Sequence, residues 1–540
     1  MSKQTKSLIS WLLLGIAGLA IFILLFNHAS PVASIEIKIS KEDALKKAAA
    51  FVKEQGFDLK GYNKTIIFYS DYKASVYLQK SQGIKKTNEL INRGIPVWYW
   101  RVRWFKELEK KGFIVGVDPS TGEIIRFYYS LLDDEKGANL SEAQARAMAE
   151  NIIALQGIDL KDYSLKDSTT KTQKQRTDYY FAWEQRDYKI EEATLRVGVD
   201  IYGDKLGLYK RHLKVPEEFS RYLDREISFG NALTMISSIF IFLLTIIAIF
   251  VLITHYKKIS GEWKWKFGLI FACIVLPLEI FAFFNRAPLL WSFYPDTISK
   301  LAFMIMSFEK TLLEATAIGL MIFAFGTVGE LLSSHLWKDK IPLINAIINK
   351  KFSRTEIVPI FIVGYSLGFV FLGYITLFYL VGTKFFNIWI PPNTEYSNML
   401  GTAMPFLFPL TVAISAAIRE EFMYRLFAIS FLKKFTRLSW LAILLPALFW
   451  GFAHSNYPVF PNYVRGIELT IFGIIFGIVF IKYGLETVVI AHFVINASLV
   501  GLPLLRSHNP YFTISGLSVI SLALAPIIIV AIRLKIRGNQ

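Results

Sequence analysis

Nine apolar runs crowd the chain after residue 230, near 231–254, 267–286, 301–325, 357–382, 402–432, 439–457, 466–482, 486–504 and 513–533. A helix crosses a hydrocarbon core about 30 Å thick with about 20 mainly apolar residues. A tenth run, "LISWLLLGIAGLAIFILLF" (8–26), follows Lys3 and Lys6. It exceeds the roughly 7–15 residues of a signal-peptide core, and the following "NHASPVAS" offers no clean small-x-small cleavage site. Residues 1–29 therefore read as an uncleaved signal anchor. The fold class expected is a polytopic all-α membrane bundle of about ten transmembrane helices, carrying one extracytoplasmic α+β domain. Composition agrees, with 53% hydrophobic and 15% aromatic residues. The net charge of +17 belongs in cytoplasmic loops and lipid-facing rims, so nucleic acid is discounted as a partner. The one cysteine, Cys273, allows no intrachain disulfide, thiolate metal cluster or redox pair, and reads as a small buried hydrophobe.

Residues 30–225 are polar, charged and tyrosine-rich, and they repeat. "SKEDALKKAAAFVKEQGFDLKGY" (40–62) aligns with "SEAQARAMAENIIALQGIDLKDY" (141–163). Ala44, Ala48, Gln55, Gly56, Asp58, Leu59, Lys60 and Tyr62 match Ala145, Ala149, Gln156, Gly157, Asp159, Leu160, Lys161 and Tyr163. Further on, "VGVDPSTGEIIRFYY" (115–129) answers "VGVDIYGDKLGLYKR" (197–211). Each unit reads as a helix capped by Ser40 or Ser141, then aromatic strands with a hairpin at the D-x-x-x-G or D-x-x-G turn. The pattern resembles the PepSY domain, an α+β module found beside secreted and membrane peptidases. An unrelated duplicated α+β module is the alternative. The resemblance divides the segment into repeats at 30–130 and 138–225, which could inhibit a protease, recruit substrate or sense envelope conditions; the setting beside peptidases suggests the first. Basic clusters at "HYKKISGEWKWK", "HLWKDKIP…NKKFSR", "KKFTR" and "RLKIRGNQ" share a side with Lys3 and Lys6. That predicts cytoplasmic termini and an external repeat domain in the cell membrane.

Four charges interrupt the run at 402–432. In "SAAIREEFMYRLF" (415–427), Arg419, Glu420, Glu421 and Arg425 sit where ionisable groups are costly and usually functional. Glu421 and Arg425 are spaced i,i+4 with the acid first, the favourable order for a helical ion pair. Glu420 is turned about 100° away from Glu421. His454 follows in "WGFAHSNYP", and His492 and Asn496 share a helix face in "AHFVINAS". At about 1.5 Å per residue, Glu420 lies roughly 20 Å and His454 roughly 25 Å from the basic "KKFTR" turn, and His492 roughly 15 Å beyond Lys482. Matching depth lets them meet. A carboxylate beside an imidazole can deprotonate a water, and a second imidazole with an amide can donate to an oxyanion. Histidines buried for structural reasons are the competing reading. Lys310 and Glu314, i,i+4 beside Glu309, read as a structural pair, with substrate contact as the alternative; Glu279 is unassigned.

The order "EEFMYR" (420–425), "WGFAH" (450–454) and "HFVIN" (492–496) resembles the CPBP intramembrane glutamic proteases, the family of type II CAAX prenyl endopeptidases and bacteriocin-processing or immunity proteins. It covers roughly 401–505, the catalytic core, between helices at 230–400 and a last helix with a basic tail at 513–540. The resemblance implies a helical bundle with a cavity in the membrane. Glu420 and His454 would activate water, His492 and Asn496 would stabilise the oxyanion, and Glu421 and Arg425 would organise the site. It implies a metal-free mechanism with no cofactor; were zinc bound, Glu420, His454 and His492 would be its ligands. Trp450 stands where the family usually has Phe, a change expected to alter the cavity wall but not the chemistry. The function expected is an intramembrane endopeptidase whose partners are the lipid bilayer and a peptide or protein substrate in or near it. A non-catalytic immunity, scaffold or sensor protein of the same fold is the alternative.

Overall fold

Each apolar run falls on a helix in the computed structural model, which describes residues 3–29, 38–255, 257, 264–337, 339–391, 399–506 and 509–538. The helices are α1 (Lys3–Ala29), α5 (Glu217–Thr254), α6 (Lys264–Leu290), α7 (Lys300–Leu336), the short α8 (Pro342–Ile348), α9 (Arg354–Phe385), α10 (Leu407–Glu420), α11 (Ser430–Thr436), α12 (Ser439–Phe452), α13 (Tyr463–Tyr483), α14 (Leu485–Arg506) and α15 (Pro510–Gly538). Among the described residues, eight helices are long and apolar enough to cross a membrane. The charged α10–α11 run is not among these eight, and α12 has 14 residues, roughly 21 Å of helix. That short α12 gives way after Phe452 to the irregular segment that carries His454.

The bundle core is aromatic, with Phe267, Phe325, Phe422, Phe427, Trp450, Phe472 and Phe476 in one buried cluster. α1 closes on α9 through small residues: a Cβ at Gly18 would stand 2.4 Å from the Phe369 carbonyl oxygen. Such close backbone approach is how helices associate where lipid removes the hydrophobic drive. Cys273 is exposed on α6, against the expectation of burial. A lipid-facing position is as apolar as a core one, so the run around Cys273 carries no inward signal. Lys310 and Glu314 do pair, at 3.9 Å, with both side chains exposed. Glu279 accepts a hydrogen bond from the Ser415 hydroxyl.

Between α1 and α5 lies one antiparallel sheet of eight strands in the order β1-β2-β3-β4-β8-β7-β6-β5. Its first half is α2 (Lys41–Glu54), β1 (Asn63–Ser70), α3 (Tyr72–Asn92), β2 (Trp98–Lys106), β3 (Glu109–Val117) and β4 (Ile124–Ser130). The second half is α4 (Glu142–Leu155), β5 (Tyr163–Thr172), β6 (Thr177–Ile190), β7 (Ala193–Tyr202) and β8 (Lys205–Lys214). The halves join where Arg126, Phe127 and Tyr128 pair with Lys210, Tyr209 and Leu208. Ser40 caps α2 and Ser141 forms a capping box with Gln144. Ala44, Ala48, Ala145 and Ala149 are fully buried in the core beneath the two helices. The helix α3, which has no counterpart in the second half, was not foreseen; Gly83 at φ 69 breaks its periodicity in the middle.

Contacts sort the molecule into two ends. Gln4 bonds the Thr355 carbonyl, and Ser7 and Trp11 meet the Tyr483 hydroxyl. At the other end Arg101 and Arg103 reach the Ser292 carbonyl at 3.3 and 3.2 Å, Lys80 lies 5.7 Å from the Trp389 ring, and Arg506 meets Asn27. The sheet domain thus sits on the end opposite the N-terminus. The basic "HYKKISGEWKWK" segment falls largely outside the described residues.

Candidate active site

Immediately after Glu420 the helix widens into a π-helical segment, Glu421–Ile429, before α11 resumes. Such single-turn widenings inside α-helices occur often at functional sites, because they redirect the side chains they carry. Glu420 is 8%, Glu421 0%, Arg425 1% and His492 6% exposed, so all four ionisable groups need partners. Glu421 Oε1 accepts from Arg425 Nη1 at 3.2 Å and from His492 Nδ1 at 2.7 Å. The Arg425 guanidinium lies 4.1 Å over the Trp450 ring and 5.1 Å from that of Phe476. Glu420 faces the other way: its Oε2 accepts from Trp450 Nε1 at 2.6 Å, and Arg419 approaches Oε1 at 3.4 Å. The same Oε2 stands 3.9 Å from Nε2 of both His454 and His492.

Hydrogen bonding settles which nitrogens carry protons. His454 Nδ1 lies 2.8 Å from the Trp450 carbonyl, which only accepts, so Nδ1 holds the hydrogen and a neutral Nε2 is an acceptor. His492 Nδ1 donates to the Glu421 carboxylate, so its Nε2 accepts while the ring is neutral and donates when the ring carries a second proton. Three acceptors therefore converge, the Glu420 carboxylate and two imidazole nitrogens. A water donating two hydrogens, or a proton on one member, reconciles them.

The structure brings Glu420, Glu421, Arg425, His454 and His492 together from three parts of the chain. Asn496 stays half-buried one turn beyond His492, its side chain without a hydrogen bond among the described residues. Two residues do more than their sequence positions announce. Trp450 is more than cavity wall, because its indole N–H bonds the candidate base directly. The W-x-x-x-H spacing, one helical turn, was the available signal. Glu421 does more than pair with Arg425, since the same oxygen orients His492. Sequence reasoning also missed Glu468, fully buried on α13, bonded by Arg465 at 2.8 and 2.7 Å and by the Tyr379 hydroxyl.

Glu420, His454 and His492 are zinc-type donors, and donors on one tetrahedral zinc stand roughly 3.4 Å apart. Here the separations are 3.9 Å, and Glu420 Oε2 already takes the indole hydrogen. No group of three His, Cys, Asp or Glu among the described residues is placed to hold a metal. As arranged, the residues do not fit a zinc site, and no step below runs through one.

The chain is 23% identical over 524 residues, 93% of its length and 96% of the relative's, to the sporulation-killing factor biosynthesis protein SkfC of Bacillus subtilis (strain 168). No solved structure matches it. Residues 402–498 match the family model described as type II CAAX prenyl endopeptidase Rce1-like. The span that supplies every group of the cluster, from Glu420 to His492, lies within this match.

Proposed function

We propose that this multi-pass membrane protein is an intramembrane endopeptidase using water activated by Glu420 and His454. The observation that carries the reading is the 3.9 Å spacing of Glu420 Oε2 from both Nε2 atoms. That is too long for a direct hydrogen bond, yet one water can touch two of these atoms at about 2.8 Å each. Held between Glu420 and His454, the water points both hydrogens at acceptors. Its oxygen then adds to the peptide carbonyl as the pair takes one proton, and the proton returns to the leaving amine as the C–N bond breaks.

His492 serves the carbonyl oxygen. With Nδ1–H given to Glu421, its Nε2 donates only when the ring carries a second proton. Asn496 is the second donor, and Arg425 holds Glu421 in place. The sheet domain is read as two PepSY-like repeats, 30–130 and 138–225, outside the cell membrane, with both termini cytoplasmic. The similarity to a biosynthesis protein over both domains supports maturation of a specific peptide or protein product rather than general turnover.

Comparative membrane proteomics of the wild type against Glu420→Ala and His454→Ala tests this reading. Fragments formed with the wild type are expected to drop by about 10²–10⁴-fold in each variant, the usual contribution of a general base. Fragments that persist in both variants refute the mechanism, and full biological complementation by Glu420→Ala favours a non-catalytic scaffold or sensor.

A further inference from the structure

His454 lies two residues beyond the end of α12, at the start of the irregular segment Ser455–Asn462. What fixes this segment fixes the imidazole against Glu420. Much of what holds it comes from the sheet-domain end of the molecule. The Asn456 amide donates to Thr234 Oγ1 at 3.1 Å, and the Asn462 amide to Glu226 Oε2 at 3.2 Å. Asn462, 1% exposed, turns its side-chain amide back onto the Ser455 carbonyl at 3.0 Å, closing the segment on itself. Thr234 and Glu226 both belong to the first turns of α5, the helix that emerges from β8. Between them Gly230 lets the helix lie directly on the loop: a Cβ there would stand 2.4 Å from the Ser455 carbonyl oxygen and 2.7 Å from Asn462 Nδ2.

The far half of the segment is gripped by the domain itself. Phe460, fully buried, shares a small core with Val76 of α3 and Leu223 of α5. It stacks on Trp389 at 4.4 Å and exchanges two 3.0 Å backbone hydrogen bonds with it. The α3–α5 contact is rigid in turn. Tyr77 packs on Phe219 at 5.0 Å, Lys73 pairs with Asp224 at 3.0 Å, and Lys80 sits 3.7 Å over the Tyr222 ring. An unbroken path of packed side chains and hydrogen bonds therefore runs from α3 of the sheet domain to the residue after His454.

We infer that the sheet domain is a working part of the candidate active site: α3 and the first turns of α5 clamp Ser455–Asn462 and thereby set His454 against Glu420, with Glu226, Gly230 and Asn462 as positioning residues. This rests on the reading of His454 as a base. It opposes the inhibitory role suggested by PepSY modules beside peptidases, because loosening the clamp lowers activity. A displacement of about 1 Å at a catalytic group costs on the order of 10²-fold in rate.

The test uses the full chain in its own membrane, and the probe is the set of fragments lost on Glu420→Ala. Gly230→Ala, which drives α5 off the Ser455 carbonyl, is expected to cut fragment formation about 10-fold and Gly230→Val more than 100-fold, with wild-type membrane insertion. Glu226→Ala lowers it about 10-fold. Glu226→Gln, which keeps an oxygen for the Asn462 amide, rescues most of that loss, which mere loss of a helix contact would not allow. Phe242→Val, on the exposed face of α5, leaves fragment formation unchanged. Wild-type or increased cleavage in inserted Gly230→Val, or equal losses in the two Glu226 variants, overturns the inference. Fragments that survive Glu420→Ala itself instead sink the catalytic reading on which it rests.

Discussion

Trp450 does two jobs with one side chain: its N–H holds Glu420 Oε2 at 2.6 Å while its ring carries Arg425 4.1 Å above it. The two roles are separable. Phe in its place keeps a ring for the guanidinium and removes the hydrogen bond alone. A hydrogen bond to a charged group contributes about 1.5–3 kcal/mol, roughly 10–100-fold if it is spent on orienting the base. Trp450→Phe is therefore expected to slow fragment formation by about that factor while the chain stays inserted and folded. Trp450→Ala removes the platform as well, leaving Arg425 and Glu421 with a cavity beside them, and is expected to lower the thermal unfolding midpoint besides. Equal midpoints for the two variants would show that the ring does not support the buried pair.

At the scale of elements, the sheet carries its own titration signature. On β8, burial and then Lys210 push the His212 imidazole down to about 3. On β7, burial and then Asp178 push the Asp200 carboxyl up to about 6, against a hydrogen bond from Tyr202. The signs are opposite. The stability that His212 contributes is present above its ordinary 6.5 and is lost as pH falls toward about 3. That of Asp200 is present below its ordinary 3.8 and is lost as pH rises through about 6. His212→Gln is thus expected to reduce the fall in unfolding midpoint between about pH 7 and pH 5, where the neutral-buried histidine accounts for about 2 kcal/mol. Asp200→Asn is expected to raise the midpoint at pH 7 and leave it unchanged near pH 4. Thermal unfolding of the full chain followed by tryptophan fluorescence checks both, and parallel pH curves for wild type and His212→Gln would contradict the assignment. Elements differ in how far their sequence announces them. The membrane helices are legible because lipid demands continuous apolar runs, and the caps Ser40 and Ser141 because a helix start has few good solutions. The cluster of Glu420, His454 and His492 is legible because ionisable groups are rare at that depth. The π-helical turn at Glu421 and the Glu421–His492 bond are not, since both depend on packing between helices distant in the chain. Nor is the clamp on Ser455–Asn462, whose parts lie more than 200 residues apart.

Taken whole, the molecule has two ends, each marked by its own contacts among the described residues. One end gathers Gln4 with Thr355, Ser7 and Trp11 with Tyr483, and Lys340 with the Ile481 carbonyl. The other gathers Arg101 and Arg103 with Ser292, Lys80 with Trp389, Glu226 with Asn462, and Asn27 with Arg506. The start of α1 lies on the first end, while the sheet domain and the loop after His454 share the second. Charge then orients the pair of ends. Lys433 and Lys434 lie in the last turn of α11 with Arg437 just after it, and Lys350 and Lys351 precede α9, which opens on Arg354 beside the Gln4–Thr355 contact of the first end. Positive residues in short loops tend to stay on the cytoplasmic side, so the proposed orientation predicts that the second end faces outward. The single native cysteine makes this measurable, because Cys273→Ser gives a thiol-free chain. In that background a cysteine at Leu108, exposed on the β2–β3 turn, is expected to react with a membrane-impermeant maleimide in intact cells. One at Lys434 is expected to react only after the membrane is opened. The reverse pattern would turn the molecule over, moving the sheet domain and the His454 loop to the cytoplasmic side together, because the contacts between them do not allow one to move without the other.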